Sequence, residues 1–449
     1  MAPEHSPEPN ARPDPPAVPA DVPPAAPFDA ATPPAAADPA GLDSAAVARQ
    51  VMRPEFIADP YPLYGRLRRW SPVHHLAELN VEVCTRYADV VTILSDPRFQ
   101  KQDPDDGRPI APSGMQRSML MLDPPDHSRL RALVNRAFTP KVVAALRPRI
   151  ADIASGLLEA VTARTGPAAG RAGNPGRADL VADFAFPLPA TVIAELLGVP
   201  VADHDRFHAW SSRIVNITDA TRPPEVRADA AAAQRELRAY FAELIAARHA
   251  AGPAAPHDDF LAGLIAAEEA GDRLTLDEVL AMCALLLVAG HETTANLIAS
   301  GTLTLLRHPD QLATLRRDPS LAANAVEELL RFESPVQRTG RRTNAPVELS
   351  GHRLPRGTTV VALLGAANRD PAIFPHPDRL DLRRANANHH LAFGRGIHFC
   401  LGSPLARLEA EVALPMLLER LPRLALDTDR PEWRPNSTIR SLRALPVRF

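Results

Sequence analysis

Lysine is almost absent from the 449 residues: only Lys101 and Lys141 occur, so nearly all the positive charge is arginine. With abundant alanine and proline, this bias points to a GC-rich bacterial genome and imposes nothing on the fold. Cysteine is nearly as scarce. Cys84, Cys283 and Cys400 cannot build a disulfide framework, which fits a reducing compartment and leaves each thiol to be explained singly. A basic excess is lacking too. Fifty basic against 53 acidic side chains give a formal net charge of −3, and this excludes the simplest nucleic-acid reading, because phosphate binders carry surplus cations. The longest strongly apolar run, 279–290, ends in His291 and Glu292 and is short of the roughly 20 residues a bilayer span needs. No signal-peptide pattern opens the chain. Apolar residues make up 45% and charged residues 23%, as in ordinary soluble globular proteins. A cytoplasmic protein with neither membrane nor nucleic acid among its partners is expected.

The first 40 residues hold 13 prolines and 12 alanines, too little apolar area to offset the entropy of ordering. Residues 1–45 are expected to form a disordered tail, and 46–449 a single domain interrupted by a surface loop at 164–179. Helical periodicity marks 87–94, 127–137, 141–162, 190–197, 224–249, 276–307, 309–316, 321–331 and 403–420. Strand-like pieces are few: 81–84, 347–350, 358–363 and 442–447. Asp277 and Glu278 near the start of the longest helix, with Arg307 and His308 at its end, suit the helix dipole. At 1.5 Å per residue that helix is a rod of about 45 Å. Being apolar nearly all round, it belongs at the centre. The fold class is mainly α with a small β part.

The most informative segment is 393–402 (FGRGIHFCLG). Three glycines surround Cys400, and a helical run follows at once. Glycines let the chain turn tightly and approach a flat object closely, and a thiolate just before a helix N-terminus is stabilised by the free N–H groups there. A soft, negatively charged axial ligand against a planar macrocycle is one use of this geometry; a structural cysteine beside a glycine turn is the other. The segment resembles the haem-binding loop of the cytochrome P-450 family, F-x-x-G-x-x-x-C-x-G, at every fixed position, and the resemblance runs from about residue 50 to the C-terminus. It implies that Cys400 is the thiolate ligand of haem iron.

Further motifs fall in family order. Glu328 and Arg331 share a helix face and can pair; their placement resembles the family's E-x-x-R, and Arg379 in PDRL takes the place of its third member. Residues 289–294 (AGHETT) put an acid and an alcohol inside an apolar helix, which costs stability unless they serve something. Thr293 can bond back to a carbonyl one turn earlier. The pattern resembles the oxygen-activation motif, and implies that Glu292 and Thr293 organise proton delivery. Residues 123–131 (DPPDHSRLR) set His127 and Arg131 on one helix face; by resemblance they hold the haem carboxylates together with Arg341 and His398. Family logic also puts Leu285, Ala289, Leu297 and Val336 on the wall of the substrate pocket, with lid segments near 102–119 and 210–224.

The resemblance implies a haem-thiolate monooxygenase carrying haem b. Such an enzyme inserts one oxygen atom of O2 into a C–H bond or double bond of a bulky natural-product-like molecule. With no flavin or iron–sulfur segment in the chain, electrons would come from a ferredoxin and its NAD(P)H-dependent reductase, docking where arginines such as Arg129 and Arg395 lie. A monomer is expected. A peroxide-driven peroxygenase of the same fold, and a non-catalytic haem-fold recruitment module, are the alternatives.

Overall fold

The computed structural model describes residues 44–109, 117–135, 138–164, 176–218, 222–251, 260–269 and 274–449. The expected tail lies outside these residues except for Ser44 and Ala45, which open the first helix. Most of the expected loop at 164–179, and parts of both lid segments, also lie outside them.

Helices dominate. In chain order they are α1 (Ser44–Val51), α2 (Tyr61–Trp70), α3 (Tyr87–Ser95), α4 (Asp126–Asn135), α5 (Pro140–Ala145), α6 (Arg147–Arg164), α7 (Pro187–Leu196) and α8 (His204–Ile214). They continue with α9 (Pro224–Ala251), α10 (Phe260–Glu269), α11 (Leu276–Arg307), α12 (Pro309–Arg317), α13 (Ala322–Phe332), α14 (Leu364–Ala367) and α15 (Ser403–Arg420). The axis of the fold is α11. Its start is fixed by a capping box: the Thr275 hydroxyl accepts from the Glu278 amide at 3.3 Å, while the Thr275 amide donates to the Glu278 carboxylate at 2.8 Å. Such a box satisfies two of the donors that every helix start leaves open. By length and composition α11 could cross a membrane, but its apolar sides are buried against α7, α8, α9, α13 and α15.

The β part exceeds the four pieces legible in the sequence. A five-stranded sheet orders β1 (Val73–Leu76), β2 (Val81–Cys84), β8 (Thr359–Leu363), β5 (Arg338–Thr343) and β3 (Phe99–Gln100), with β2 and β8 parallel and the other pairs antiparallel. A three-stranded sheet joins β4 (Arg177–Asp179), β10 (Pro446–Arg448) and β9 (Ala425–Leu426), and β6 (Val347–Leu349) pairs with β7 (His352–Leu354). In β5 (RTGRRT) the inward positions are Arg338, Arg341 and Thr343, so this strand presents arginine rather than an apolar residue to the interior. It follows α13 after a short connection and brings the Arg341 charge close to His127 of α4 and His398 of the cysteine loop.

Candidate active site

Cys400 sits where a tight loop meets the start of α15. Its amide donates to the Phe393 carbonyl at 2.9 Å, closing the loop on itself. Gly394 and Gly396 lie at φ +71° and +69°, where L side chains are strained. At Gly396 a Cβ would also stand 2.4 Å from the Leu94 carbonyl oxygen of α3, so nothing larger than glycine fits. Of the three thiols, Cys84 and Cys283 are fully buried and Cys400 alone keeps open surface. Burial pushes all three thiols up, Cys283 to about 12. At Cys400 the rise is opposed by two amides, those of Gly402 and Ser403, and by the cations Arg131 and Arg407. Those groups offset part of the effect of burial, and a bound metal cation would stabilise the thiolate further.

Four basic side chains expected from the sequence converge beside this loop. His127 on α4 is 2% exposed and neither ring nitrogen makes a hydrogen bond. The His398 ring stands 4.5 Å from it, centroid to centroid, and its Nε2 lies 3.9 Å from Asp123, beyond hydrogen-bond distance. Arg131 donates to the Ile397 carbonyl at 3.1 Å. Arg341 on β5 is 3% exposed and has no acidic partner among the described residues. Burial lowers all of these groups, His398 to about 4 and Arg341 to about 10. Orphaned imidazoles and an unpaired, desolvated guanidinium are costly by themselves and become favourable once an anion arrives. A flat ring bearing two carboxylates and a central metal fits this donor set.

Behind the loop, Glu328 and Arg331 are fully buried and paired by two hydrogen bonds of 2.7 Å. The third member of the network is not Arg379. That side chain is exposed, and Arg379 contributes only its carbonyl oxygen, to Arg331 at 3.3 Å and to Arg384 at 3.0 Å. The arginine that reaches Glu328 is Arg384, whose Nε lies 3.1 Å from both carboxylate oxygens. The cause is local: turns from His376 to Arg379 and from Asp381 to Arg384 face the Arg379 carbonyl inward and return the chain with Arg384 against the pair. A second anchor had no signal in the sequence. The neighbouring Glu327 binds His390 at 3.1 Å and Arg407 at 2.5 Å. Burial works against its ionisation, but these two partners hold its carboxyl down at about 2. Thus α13 grips the cysteine loop on one side and α15 on the other.

In the middle of α11 the burial pattern breaks. Ala289 is exposed and Gly290 and Thr293 are partly so, while their neighbours are covered. The Thr293 hydroxyl donates to the Ala289 carbonyl at 2.8 Å, the back-bond expected from the sequence. Gly290 lets Ile193 of α7 come close, since a Cβ there would be 3.0 Å from it. Glu292 is 2% exposed; Oε1 lies 3.8 Å from Arg434, and Oε2, without a hydrogen bond, 3.7 Å from His291 Nε2. His291 Nδ1 donates to the Leu287 carbonyl at 2.7 Å, which leaves Nε2 facing the Ser211 hydroxyl of α8 at 2.9 Å. The carboxylate therefore has one oxygen near a cation and one buried without a hydrogen bond. Of the expected pocket wall, Ala289 and Val336 keep open surface, whereas Leu285 and Leu297 are 4% and 2% exposed and belong to the main core. Of the arginines expected to meet a redox partner, Arg129 is committed to Glu278 at 2.5 Å.

The family described as Cytochrome P450 matches residues 74–444. The cytochrome P450 monooxygenase PikC of Streptomyces venezuelae is 46% identical over 404 residues, 88% of this chain and 92% of that protein. The vitamin D(3) 25-hydroxylase of Pseudonocardia autotrophica is 44% identical over 404 residues, 87% of this chain and 94% of that protein. Among solved structures, ligand-free CYP164A2 of Mycobacterium smegmatis superposes with a TM-score of 0.79 at 40% identity, over 90% of this chain and 99% of that one. P450BioI in complex with a fatty-acyl-ligated acyl carrier protein gives a TM-score of 0.78 at 38% identity, over 88% of this chain and 99% of that one. By the family model and by relatives of this identity and coverage, the chain belongs to the cytochrome P450 family and is a haem-thiolate monooxygenase.

Proposed function

We propose that the protein uses dioxygen to place one oxygen atom on a C–H bond or double bond of a bulky natural-product molecule. Electrons come from a ferredoxin and its NAD(P)H-dependent reductase, in the cytoplasm, and the enzyme works as a monomer. The observation that carries this reading is Cys400, partly exposed at the start of α15, beside buried basic side chains that lack anions. Cys400 binds the iron, and His127, Arg131, Arg341 and His398 take the two carboxylates of haem b. When bound, haem with a thiolate ligand supplies the chemistry of O2 reduction and O–O cleavage.

The chain's own residues prepare that chemistry. Gly396 keeps the cysteine loop against α3, and the Glu328 and Glu327 networks hold it from behind. Glu292 carries a proton at Oε2, the oxygen left without a hydrogen bond, toward the opening at Ala289 and Gly290. Thr293 spends its own proton on the Ala289 carbonyl, so its oxygen accepts a hydrogen bond from water in the groove and orders it there. This intact acid–alcohol pair favours O2 over peroxide as the oxidant, since peroxide-driven members of the fold usually lack it.

Substrate class rests on relatives' names. PikC, a polyketide-biosynthesis cytochrome P450 named PksS, and 6-deoxyerythronolide B hydroxylase are 46%, 38% and 40% identical to this chain. A macrolide-like polyketide is therefore the first class to try, and steroid-like molecules the second. The test is a carbon monoxide difference spectrum, then turnover of compounds that shift the haem spectrum, with ferredoxin, reductase and NADPH against hydrogen peroxide alone. Turnover only with the electron-transfer proteins supports the proposal; turnover only with peroxide makes the enzyme a peroxygenase.

A further inference from the structure

One of the two lysines in the chain is buried beside the site. Lys101 follows β3 and is 8% exposed. Its Nζ donates to the Thr339 hydroxyl at 3.1 Å, and the same hydroxyl accepts from Arg341 Nη1 at 3.2 Å. Two cations thus share one neutral acceptor. Among the described residues no carboxylate lies within ion-pair distance of either. The closest acid in electrostatic terms, Asp123, spends its oxygens on the backbone amides of Lys101 and Gln102 at 2.9–3.1 Å, and His398 stands beside it. Burial pushes Lys101 well below its ordinary value, Arg341 adds to that, and Asp123 pulls the other way.

An ammonium has three donors, and Thr339 takes only one of them. Leaving the rest unmet in a desolvated place next to a like charge is costly. The same arrangement turns favourable when an acceptor with several lone pairs and a negative charge sits between the two cations. Arg341 belongs to the carboxylate-holding set proposed above, and Lys101, just past the neighbouring strand β3, reaches the same hydroxyl. We propose that Lys101 is a fifth basic side chain of the carboxylate-holding set and closes, with Arg341, on one carboxylate of the haem. The inference rests on the haem-thiolate reading above and adds a residue that the sequence motifs do not mark.

The experiment compares purified holoenzymes carrying Lys101→Met, which keeps the length and removes the charge, and Lys101→Arg, which keeps the charge and changes the shape. Haem transfer to excess apomyoglobin is followed by absorbance, and the haem midpoint potential by dye-coupled titration. Lys101→Met is expected to lose haem about tenfold faster, equivalent to about 1.4 kcal/mol. Its potential should move to more negative values, because a lost positive charge disfavours the electron-richer state. Lys101→Arg is expected to stay close to wild type in both. Wild-type behaviour of Lys101→Met overturns the inference while leaving the haem reading intact. So does the reverse pattern, in which the arginine variant loses haem and the methionine variant keeps it, because packing would then be the role of this side chain. If Lys101→Met keeps haem but loses affinity for myristic acid and not for myristyl alcohol, the carboxylate it meets is a substrate's, which also overturns it. A wild-type enzyme that bound no haem would overturn both readings together.

Discussion

Arg384 Nε stands 3.1 Å from each carboxylate oxygen of Glu328, whereas the side chain of Arg379, five residues earlier, points to solvent. The buried network behind the cysteine loop therefore hangs on Arg384. Removing one partner of a buried ion pair costs about 3–5 kcal/mol, and exposed substitutions usually stay within about 0.5 kcal/mol. Arg384→Ala is expected to lower the melting temperature and the haem-to-protein ratio sharply, and Arg379→Ala to leave both unchanged, since its backbone carbonyl survives. Equal losses in the two variants would show that the Arg379 side chain does more than the geometry allows.

Glu409 on α15 is 1% exposed and neither of its oxygens makes a hydrogen bond. Burial pushes its carboxyl up to about 8. The folded state thus holds a proton that the unfolded chain releases near 4.5. Stability from this group is complete below that value and is lost as pH rises through about 8. Glu409→Gln removes the dependence. Thermal unfolding of both proteins at pH 6 and pH 9 should show the variant gaining on the wild type at the higher pH; parallel curves would contradict the burial argument.

Thr293 and Glu292 govern the fate of oxygen rather than binding of substrate. Thr293→Ala is expected to keep haem content and substrate affinity, to consume NADPH, and to divert much of that flux to hydrogen peroxide, because unordered water enters the groove. Glu292→Gln should slow oxygen consumption itself, since an amide is a poor proton carrier. The ratio of product to NADPH consumed, with peroxide measured alongside, separates the two. An unchanged ratio in Thr293→Ala would move proton delivery to another group.

The carboxylate clamp should fail in steps. Charge-assisted hydrogen bonds contribute about 1.5–3 kcal/mol each, so single alanine variants of Arg131 or Arg341 should retain most haem and the double variant should shed it during purification. Full occupancy in the double variant would remove these two residues from the set.

Much of this site was legible in the sequence, because helical periodicity survives wherever a long segment packs on several sides: the bounds of α11 and α15 agree with their apolar patterning. The strands were harder. In β5 the inward residues are arginines that serve an anion site, so no apolar alternation announces the strand. Short pairs such as β3 and β9 depend on partners distant in the chain. The Arg379 expectation failed for a related reason, since spacing locates an arginine but not which way a turn faces its side chain. Lys101, Glu327 and Glu409 carry no motif at all; their roles arise from burial and neighbours brought together by the fold. Leu285 and Leu297 share the right helical face with Thr293 but are covered by the main core.

The central claim is that Cys400 ligates the haem iron, and the most direct measurement is the carbon monoxide difference spectrum of the reduced Cys400→Ser protein. The other two thiols are fully buried and outside any glycine-rich loop, so neither can replace it. Loss of the red-shifted band that a thiolate ligand gives in this family, with haem still bound, is the predicted result. Persistence of that band in the variant would contradict the account.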